Sequence, residues 1–184
     1  MAYTSPYGTG DRRSVITATV SGLTFGAGNV TNLIDGVTNA GPYTSHANIT
    51  GDWLKWDFTA SIILTEITFK KQNWASSVYG TWQAQGSHND SSWDNIGSAF
   101  AIDNGTAGVS VLTALSGNTT AYRYYRLLGV SGAWAQTSDI FEFEFSWTYP
   151  VPRDIKTIDG VAYADIKSVD SILIADVKNF NTVS

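Results

Sequence analysis

Glu142 and Glu144 are the residues whose type and spacing come nearest to catalytic chemistry. Because alternate residues of a strand share one face, their side chains would stand about 7 Å apart on a predicted strand. Paired carboxylates at such a distance can hydrolyse glycosidic bonds. On the outer face of a sheet, however, two Glu are far more often solvated or paired with Arg.

Other catalytic patterns are missing from the sequence. The two histidines, His46 and His88, stand in no metal-ligand spacing, and there is neither a Gly-x-Ser-x-Gly elbow nor a phosphate-binding glycine loop. Cysteine is absent, which excludes disulfides, thiol catalysis and thiolate metal sites. We therefore predict that the chain is not an enzyme.

A second set of residues has the chemistry of sugar recognition. Sugar-binding proteins stack a flat aromatic ring on the C–H face of a sugar and add a few fixed polar groups. Trp134 is the strongest candidate, because it lies among Gly, Ala, Ser and Gln without the apolar alternation of a buried strand. Each such aromatic could alternatively fold back as a lid on the core. The predicted ligand-binding residues are Trp134, Trp74, Tyr79, Tyr43 and His46.

Composition limits the partners that the chain can take. The net charge is −5 and only 15% of residues are charged, with no basic stripe, which argues against nucleic acid. No apolar run approaches the roughly 20 residues that span a membrane, so we predict no membrane insertion. The N-terminus lacks the basic and apolar regions of a signal peptide, and we expect any exit from a cell to occur by lysis.

Short runs of Val, Ile, Thr and aromatic residues alternate with Gly, Asn, Asp and Ser, and helical periodicity is nearly missing. This pattern predicts an all-β sandwich. In the last run the three Phe face one side and the two Glu face the other. A short helix is predicted at Asn29–Ile34. The predicted strands are Ser14–Val20, Trp53–Phe58, Ile62–Lys70, Gly80–Gly86, Val109–Leu112, Tyr122–Leu128 and Ile140–Thr148.

The C-terminal tail nearly repeats one 11-residue phrase three times. Asp154-Ile-Lys156 returns as Asp165-Ile-Lys167 and as Asp176-Val-Lys178. Such units bury their apolar side only by stacking, and three short units make little core, so we predict attachment to other chains. The alternative is a flexible extension. The predicted assembly residues are Ile155, Ile158, Val161, Ile166, Val169, Ile172 and Val177.

Two prolines in Pro150-Val-Pro152 favour a stiff, extended connector. The sequence therefore predicts a sandwich over 1–149, a linker over 150–153 and a tail over 154–184. Each tail unit is predicted to hold a strand and a tight turn, with Asp159-Gly160 as the clearest turn signal. We expect the tail to make the chain a homo-oligomer, with a trimer favoured.

Six segments between Asp11 and Phe145 form a recognisable series: Leu33-Ile-Asp35-Gly36, Trp53-Leu-Lys-Trp56-Asp57-Phe58, Ile67-Thr-Phe69, Gly80-Thr-Trp82-Gln-Ala-Gln-Gly86-Ser87 with Trp93, Tyr122-Arg-Tyr-Tyr125-Arg126-Leu127 and Ile140-Phe-Glu142-Phe-Glu-Phe145. In this order they resemble the discoidin, or coagulation-factor type C, family. The resemblance implies a galactose-binding-like jelly-roll β-sandwich with ligands held on loops at one end. It also implies that the framework tryptophans are core residues: Trp53, Trp56, Trp82 and Trp93.

In many sandwiches of that family a calcium ion ties the early Asp-Gly loop to the closing strand. The matching positions here are Asp35 and Glu142, so the resemblance implies a structural calcium site, with loop carbonyls as further ligands. An alternative stays open, in which Asp35 makes an Asx turn and Glu142 pairs with Arg123 or Arg126.

Tandem phrases of the type Ile-Lys-Ser-Ile-Asp-Gly-Val-Ala resemble C-terminal segments of tailed-bacteriophage structural proteins. This resemblance implies a virion protein that is made in the host cytoplasm, anchored through the tail to other virion proteins, and extracellular after lysis. Its sandwich would bind a host surface glycan. The alternative is a purely structural decoration, fibre or adaptor protein without a glycan ligand.

Overall fold

The structure is a computed structural model in which the chain forms two compact units, Met1–Thr148 and Tyr149–Ser184. Within its described residues, no helix is long and apolar enough to cross a membrane. For 43–45, 71, 108–112, 135–139 and all positions after 150 the description covers the backbone only. The described residues are 6–38, 41–71, 79–102, 108–112, 115–150, 157–158, 161–162, 168–169 and 172–173.

The larger unit is built from antiparallel strands, as predicted for an all-β sandwich. Its described strands are β1 (Thr17–Ser21), β2 (Phe25–Ala27), β3 (Tyr43–His46), β4 (Trp53–Lys71), β5 (Thr81–Ser87), β6 (Asp94–Ala101), β7 (Gly108–Leu112), β8 (Tyr122–Ser131) and β9 (Trp134–Thr148).

Two sheets share the long strand β4, which was predicted as two separate strands. The first part of β4 pairs with β1 and β8, and the first sheet runs β1-β4-β8-β5-β6. The second part pairs with β9 and β7, and the second sheet runs β2-β3-β9-β4-β7. The register of β4 against β8 is irregular between Asp57 and Ile62, and Thr59 has a φ of 59° there. The strand therefore bends where it changes partners.

Apolar alternation explains which residues fill the space between the sheets. Leu54, Trp56 and Phe58 of β4 are at most 1% exposed. The Trp56 ring packs edge-on against Phe143 and Phe145, with centroids 5.0 and 5.4 Å apart. Such aromatic pairs add stabilisation beyond the apolar area that they bury.

Two of the four framework tryptophans are only partly buried, which differs from the prediction. Trp82 is a core residue like Trp56. Trp53 alternates with the inward Leu54, and the Lys55 ammonium lies 5.0 Å from its ring centroid. Trp93 lies just before β6, and the Arg126 guanidinium stacks 4.1 Å from its ring centroid.

The predicted helix at 29–34 is a 3-10 helix over Val30–Ile34. Asn29 caps it by accepting a hydrogen bond from the Thr31 N–H at 2.9 Å. Leu33 and Ile34 are its buried side chains. The helix thus anchors the start of the Asp35-Gly36 loop, which matters for the site below.

The smaller unit contains two short hairpins formed by β10 (Thr157–Ile158), β11 (Val161–Ala162), β12 (Ser168–Val169) and β13 (Ile172–Leu173). Ile158 pairs with Val161, and Val169 pairs with Ile172. These two pairs occupy equivalent positions of the 11-residue phrase, so both repeats make the same hairpin. The predicted assembly residues outside the described residues are Ile155, Ile166 and Val177.

The hydroxyl of Tyr125 fixes β4 where that strand passes from one sheet to the other. It donates a hydrogen bond to the Ile62 carbonyl at 2.6 Å and accepts one from the Leu64 N–H at 3.1 Å. The Asn118 side-chain amide, 3.3 Å away, also donates to it. Burial raises the pKa of Tyr125, which keeps the hydroxyl protonated as a donor.

We expect Tyr125→Phe to lower the free energy of unfolding by about 1–3 kcal/mol, because it leaves buried backbone groups without their partner. The measurement is urea-induced unfolding of the full chain. Tyr124→Phe is the matched control, since the neighbouring side chain is partly exposed on the opposite face. Equal losses in the two variants would contradict this role for the buried hydroxyl.

Candidate functional site

A short loop between β3 and β4 is held firmly against the β8–β9 connection at one end of the sandwich. The Ile49 N–H donates to the Gly132 carbonyl, and the Gly51 N–H donates to the Gly129 carbonyl, both at 3.0 Å. The Gly129 N–H donates in turn to the Asp52 carbonyl at 2.8 Å. The loop at 47–52 is therefore a fixed part of the fold.

Glycine makes this close approach feasible at two places. A Cβ atom at Gly129 would lie 2.0 Å from the Ile49 carbonyl oxygen. One at Gly22 would lie 1.6 Å from Asp52 Oδ1, and Gly22 has a φ of +80° that favours glycine. The carboxylate of Asp52 thus sits directly beside the backbone that follows β1.

Asp52 holds the imidazole of His46 across the two ends of this loop. His46 Nδ1 lies 2.5 Å from Asp52 Oδ2. Both atoms are buried, whereas 36% of the His46 side chain is exposed. The exposed part of the side chain therefore excludes Nδ1. A fixed imidazole edge can donate or accept a hydrogen bond to a ligand.

Asp52 was not among the predicted site residues. The available signal was its place in Gly51-Asp52, immediately before a predicted strand and six residues after His46. This signal is weak, because the sequence does not show that β3 exists or where it ends.

Trp134 and Tyr79 are core residues, so their predicted role as exposed stacking rings is wrong. Each is 1% exposed. The Trp134 ring meets Trp82 edge-on, with centroids 5.8 Å apart, and Tyr79 at 6.2 Å. The reason is that β9 begins at Trp134, which makes this residue part of a strand. The alternative of an aromatic lid on the core describes both residues correctly.

The other three predicted ligand residues are Trp74, Tyr43 and His46, and the structure describes them to different degrees. Trp74 lies outside the described residues. Tyr43 is the first residue of β3, where its backbone pairs with Asp139. Only His46 among the five predicted residues has a described, partly exposed side chain.

Asp35 makes the Asx turn that the sequence left as an alternative. Its Oδ1 accepts a hydrogen bond from the Val37 N–H, and its Oδ2 accepts one from Asn32 Nδ2, both at 2.9 Å. Both oxygens thus already hold partners that close the Asp35-Gly36 turn.

Glu142 is fully buried, although it was predicted to lie on a wet or paired face. The register of β9 against β4 shifts between Lys70 and Lys71, so the regular alternation of β9 breaks next to Glu142. Its carboxylate forms an ion pair with the buried guanidinium of Arg12.

Neither arginine suggested as a partner of Glu142 takes that role. Arg123 binds Asp57 through two hydrogen bonds of 2.8 Å. Arg126 donates from Nε to Gln85 Oε1 at 2.7 Å.

A calcium ion bridging Asp35 and Glu142 does not fit these residues. Calcium requires six to eight oxygen ligands, whereas the Glu142 carboxylate is neutralised by a guanidinium that would repel a second cation. Within the described residues, no group of three or more His, Asp and Glu could hold a metal ion. Of the two expected ligands, Asp35 thus makes a turn and Glu142 pairs with Arg12.

Solved carbohydrate-binding modules share this fold. The family 32 module of NanJ from Clostridium perfringens, solved in complex with galactose, superposes with a TM-score of 0.56 at 14% identity, covering 74% of this chain and 97% of that one. The module CpGH89CBM32-5 from Clostridium perfringens, solved in complex with GalNAc-β-1,3-galactose, gives 0.53 at 14% identity, covering 72% and 96%.

A third carbohydrate-binding module matches over a similar share of both chains. Module CBM32-1 from a family 31 glycoside hydrolase of Clostridium perfringens gives a TM-score of 0.53 at 9% identity, covering 71% of this chain and 92% of that one. No protein-family model and no curated protein matches the sequence. At these identities the likeness shows the fold, and the predicted galactose-binding-like β-sandwich is confirmed.

We expect Trp134→Ala to lower the free energy of unfolding by about 3–5 kcal/mol, because it empties a large, fully buried site. Thermal and urea unfolding measure the loss. Trp53→Ala is the control, since Trp53 is only partly buried and should cost about 1 kcal/mol. A Trp134→Ala variant with unchanged stability would be incompatible with the core position.

Proposed function

We propose that this chain is a non-enzymatic glycan-binding module whose ligand meets the loop end of the sandwich at His46. The observation that carries the proposal is the partly exposed imidazole of His46, whose Nδ1 lies against Asp52 where β3 enters a loop fixed by backbone hydrogen bonds. A polar group held in place before binding loses little conformational freedom when a sugar hydroxyl reaches it.

The fold supports the same assignment by analogy. Two of the similar structures are complexes with galactose or a galactose-containing disaccharide. A fold does not fix a function, so the argument for this chain rests on the His46 site. Trp74 and Tyr43 remain the predicted stacking rings, since the remaining two aromatics are buried in the core.

The tail completes the proposal as an attachment device. Two equivalent hairpins 11 residues apart support a repeated unit that stacks on neighbouring chains. Because the phrase resembles tailed-bacteriophage structural proteins, we propose that the module is displayed on a virion as an oligomer for host attachment. Many copies on one particle would convert weak single sites into strong binding.

A purely structural virion protein is the second candidate. The burial of Trp134 and Tyr79 favours it, because two of the rings predicted to contact a sugar are withdrawn into the core. In that case the sandwich would contact only other virion proteins.

We expect His46→Ala to weaken glycan binding about tenfold, the loss of roughly one good hydrogen bond. A glycan array on the full chain identifies the ligand, and calorimetric titration then compares the variants. His88→Ala is the matched control, because this second histidine is exposed and stacks on Tyr122 with ring centroids 4.9 Å apart. Equal affinities of the two variants would remove His46 from the site, and no binding by the unmodified chain would favour the structural candidate.

Deletion of residues 154–184 should leave a folded monomer, whereas the full chain should be an oligomer. The reason is that the sandwich and the tail form separate compact units. Light scattering gives the mass of each, and circular dichroism checks that the shortened chain is folded. A shortened chain that stays oligomeric would rule out the tail as the assembly element.

A further inference from the structure

Arg12 is a charged residue buried in the sandwich that the proposed glycan site does not use. Its side chain is 0% exposed, and that of its partner Glu142 is 1% exposed. Arg12 Nη1 donates to the Gly8 carbonyl at 2.5 Å, and the guanidinium carbon lies 5.4 Å from the Phe145 ring centroid. Both the charge and the apolar face of the guanidinium are therefore in contact with the protein.

This one residue links the early Asp-Gly loop to the closing strand. The Arg12 N–H donates to the Ile34 carbonyl at 3.0 Å, immediately before Asp35. A Cβ at Gly36 would lie 2.7 Å from Gly10 C, which shows how closely the loop and this segment pack. The opposite end of Arg12 reaches Glu142 of β9.

The carbonyl of Gly8 reinforces the link. It accepts the hydrogen bond from Arg12 and a second one from the Phe145 N–H at 3.0 Å. One carbonyl thus joins the guanidinium to the backbone of β9. Carbonyl and carboxylate oxygens of this kind are also the ligands that a hard divalent cation takes.

The other carboxylates near Arg12 are engaged elsewhere. Asp11 pairs with Arg13 at 2.6 Å, and Glu144 pairs with Lys70 at 3.2 Å. The Glu142 oxygens accept no hydrogen bond within the described residues, so Arg12 is what neutralises their charge. Burial lowers the pKa of Arg12 to about 10, which still leaves it charged at neutral pH.

We propose that Arg12 takes the place of a structural divalent cation, so that this sandwich is held together by a guanidinium and needs no metal between the Asp35-Gly36 loop and β9. The proposal goes beyond glycan binding and does not depend on it. An ordinary buried ion pair would share the burial but would not link the two segments between which the family resemblance implies a calcium ion. The two explanations can be distinguished by removing the Arg12 side chain. If Arg12 takes the place of a cation, the site that it leaves should bind one.

The experiment compares thermal unfolding of the full chain in EDTA and in millimolar calcium chloride. The unmodified chain should give the same Tm in both. Arg12→Ala should unfold at a lower temperature in EDTA and regain on the order of 5–10 °C in calcium, as expected for a ligand that binds only the folded state. Arg12→Ala combined with Glu142→Gln should lose the calcium response, because the carboxylate ligand is gone.

Two further variants keep the outcome decisive. Arg13→Ala removes the neighbouring, exposed arginine and should behave as the unmodified chain does in both buffers. Arg12→Lys keeps the positive charge on a shorter side chain. Its Tm should lie between those of the unmodified chain and Arg12→Ala, and calcium should not change it. If Arg12→Ala does not fold in EDTA, folding restored by calcium supports the proposal.

Two results would overturn the proposal. One is an unmodified chain whose Tm rises by several degrees in calcium, which would place a metal in the native fold. The other is an Arg12→Ala chain that shows no calcium response in Tm or in folding. Because neither readout involves a sugar, failure here would leave the glycan proposal untouched.

Discussion

The passage of β4 from one sheet to the other is the constraint on which the sandwich depends. Since a single strand pairs with β8 in its first part and with β9 in its second, the two sheets cannot shift relative to each other without breaking β4. At the bend, Thr59 has a positive φ. This backbone conformation costs free energy for a β-branched residue. Asp57 offsets this by accepting from the Thr59 N–H at 2.8 Å, and Arg123 in turn holds Asp57. The same pairing with Arg123 lowers the pKa of Asp57.

The contact between His46 and Asp52 connects the two sheets, and the Arg12–Glu142 pair connects the segment before β1 to β9. His46 belongs to β3, which pairs with β9, whereas Asp52 immediately precedes β4 in the first sheet. Their contact therefore joins the sheets through side chains at the loop end. The Arg12–Glu142 pair is fully buried and is the costlier of the two to desolvate. Breaking either half of such a pair would leave an uncompensated charge, which explains why a buried pair can specify one arrangement even when it adds little net stability.

The sequence predicts the parts of the fold that follow from local periodicity. Strands with strong alternation, such as β8, and the capped turn after Asn29 were found close to their true bounds. The short strands β2 and β3 were missed, because three or four residues carry too little alternation. Trp134 was misplaced because β9 starts six residues before its apolar run. The burial of Glu142 was not predicted, because its partner Arg12 lies 130 residues away in the sequence. No local pattern indicates that Arg12 is buried.

The described surface bears on the choice between a sugar and a protein as ligand. Its exposed large hydrophobic residues are Val37 and Val130, each 42% exposed. Stable protein interfaces have an apolar, well-packed centre, which two isolated valines do not provide. Val130 lies beside the His46 loop, where its carbonyl accepts from Thr50 Oγ1 at 3.3 Å. A polar loop end with one small apolar side chain is compatible with the hydroxylated ligand that we propose. Because the repeats of the smaller unit would supply the assembly contacts, the His46 end of the sandwich need not carry a protein interface as well.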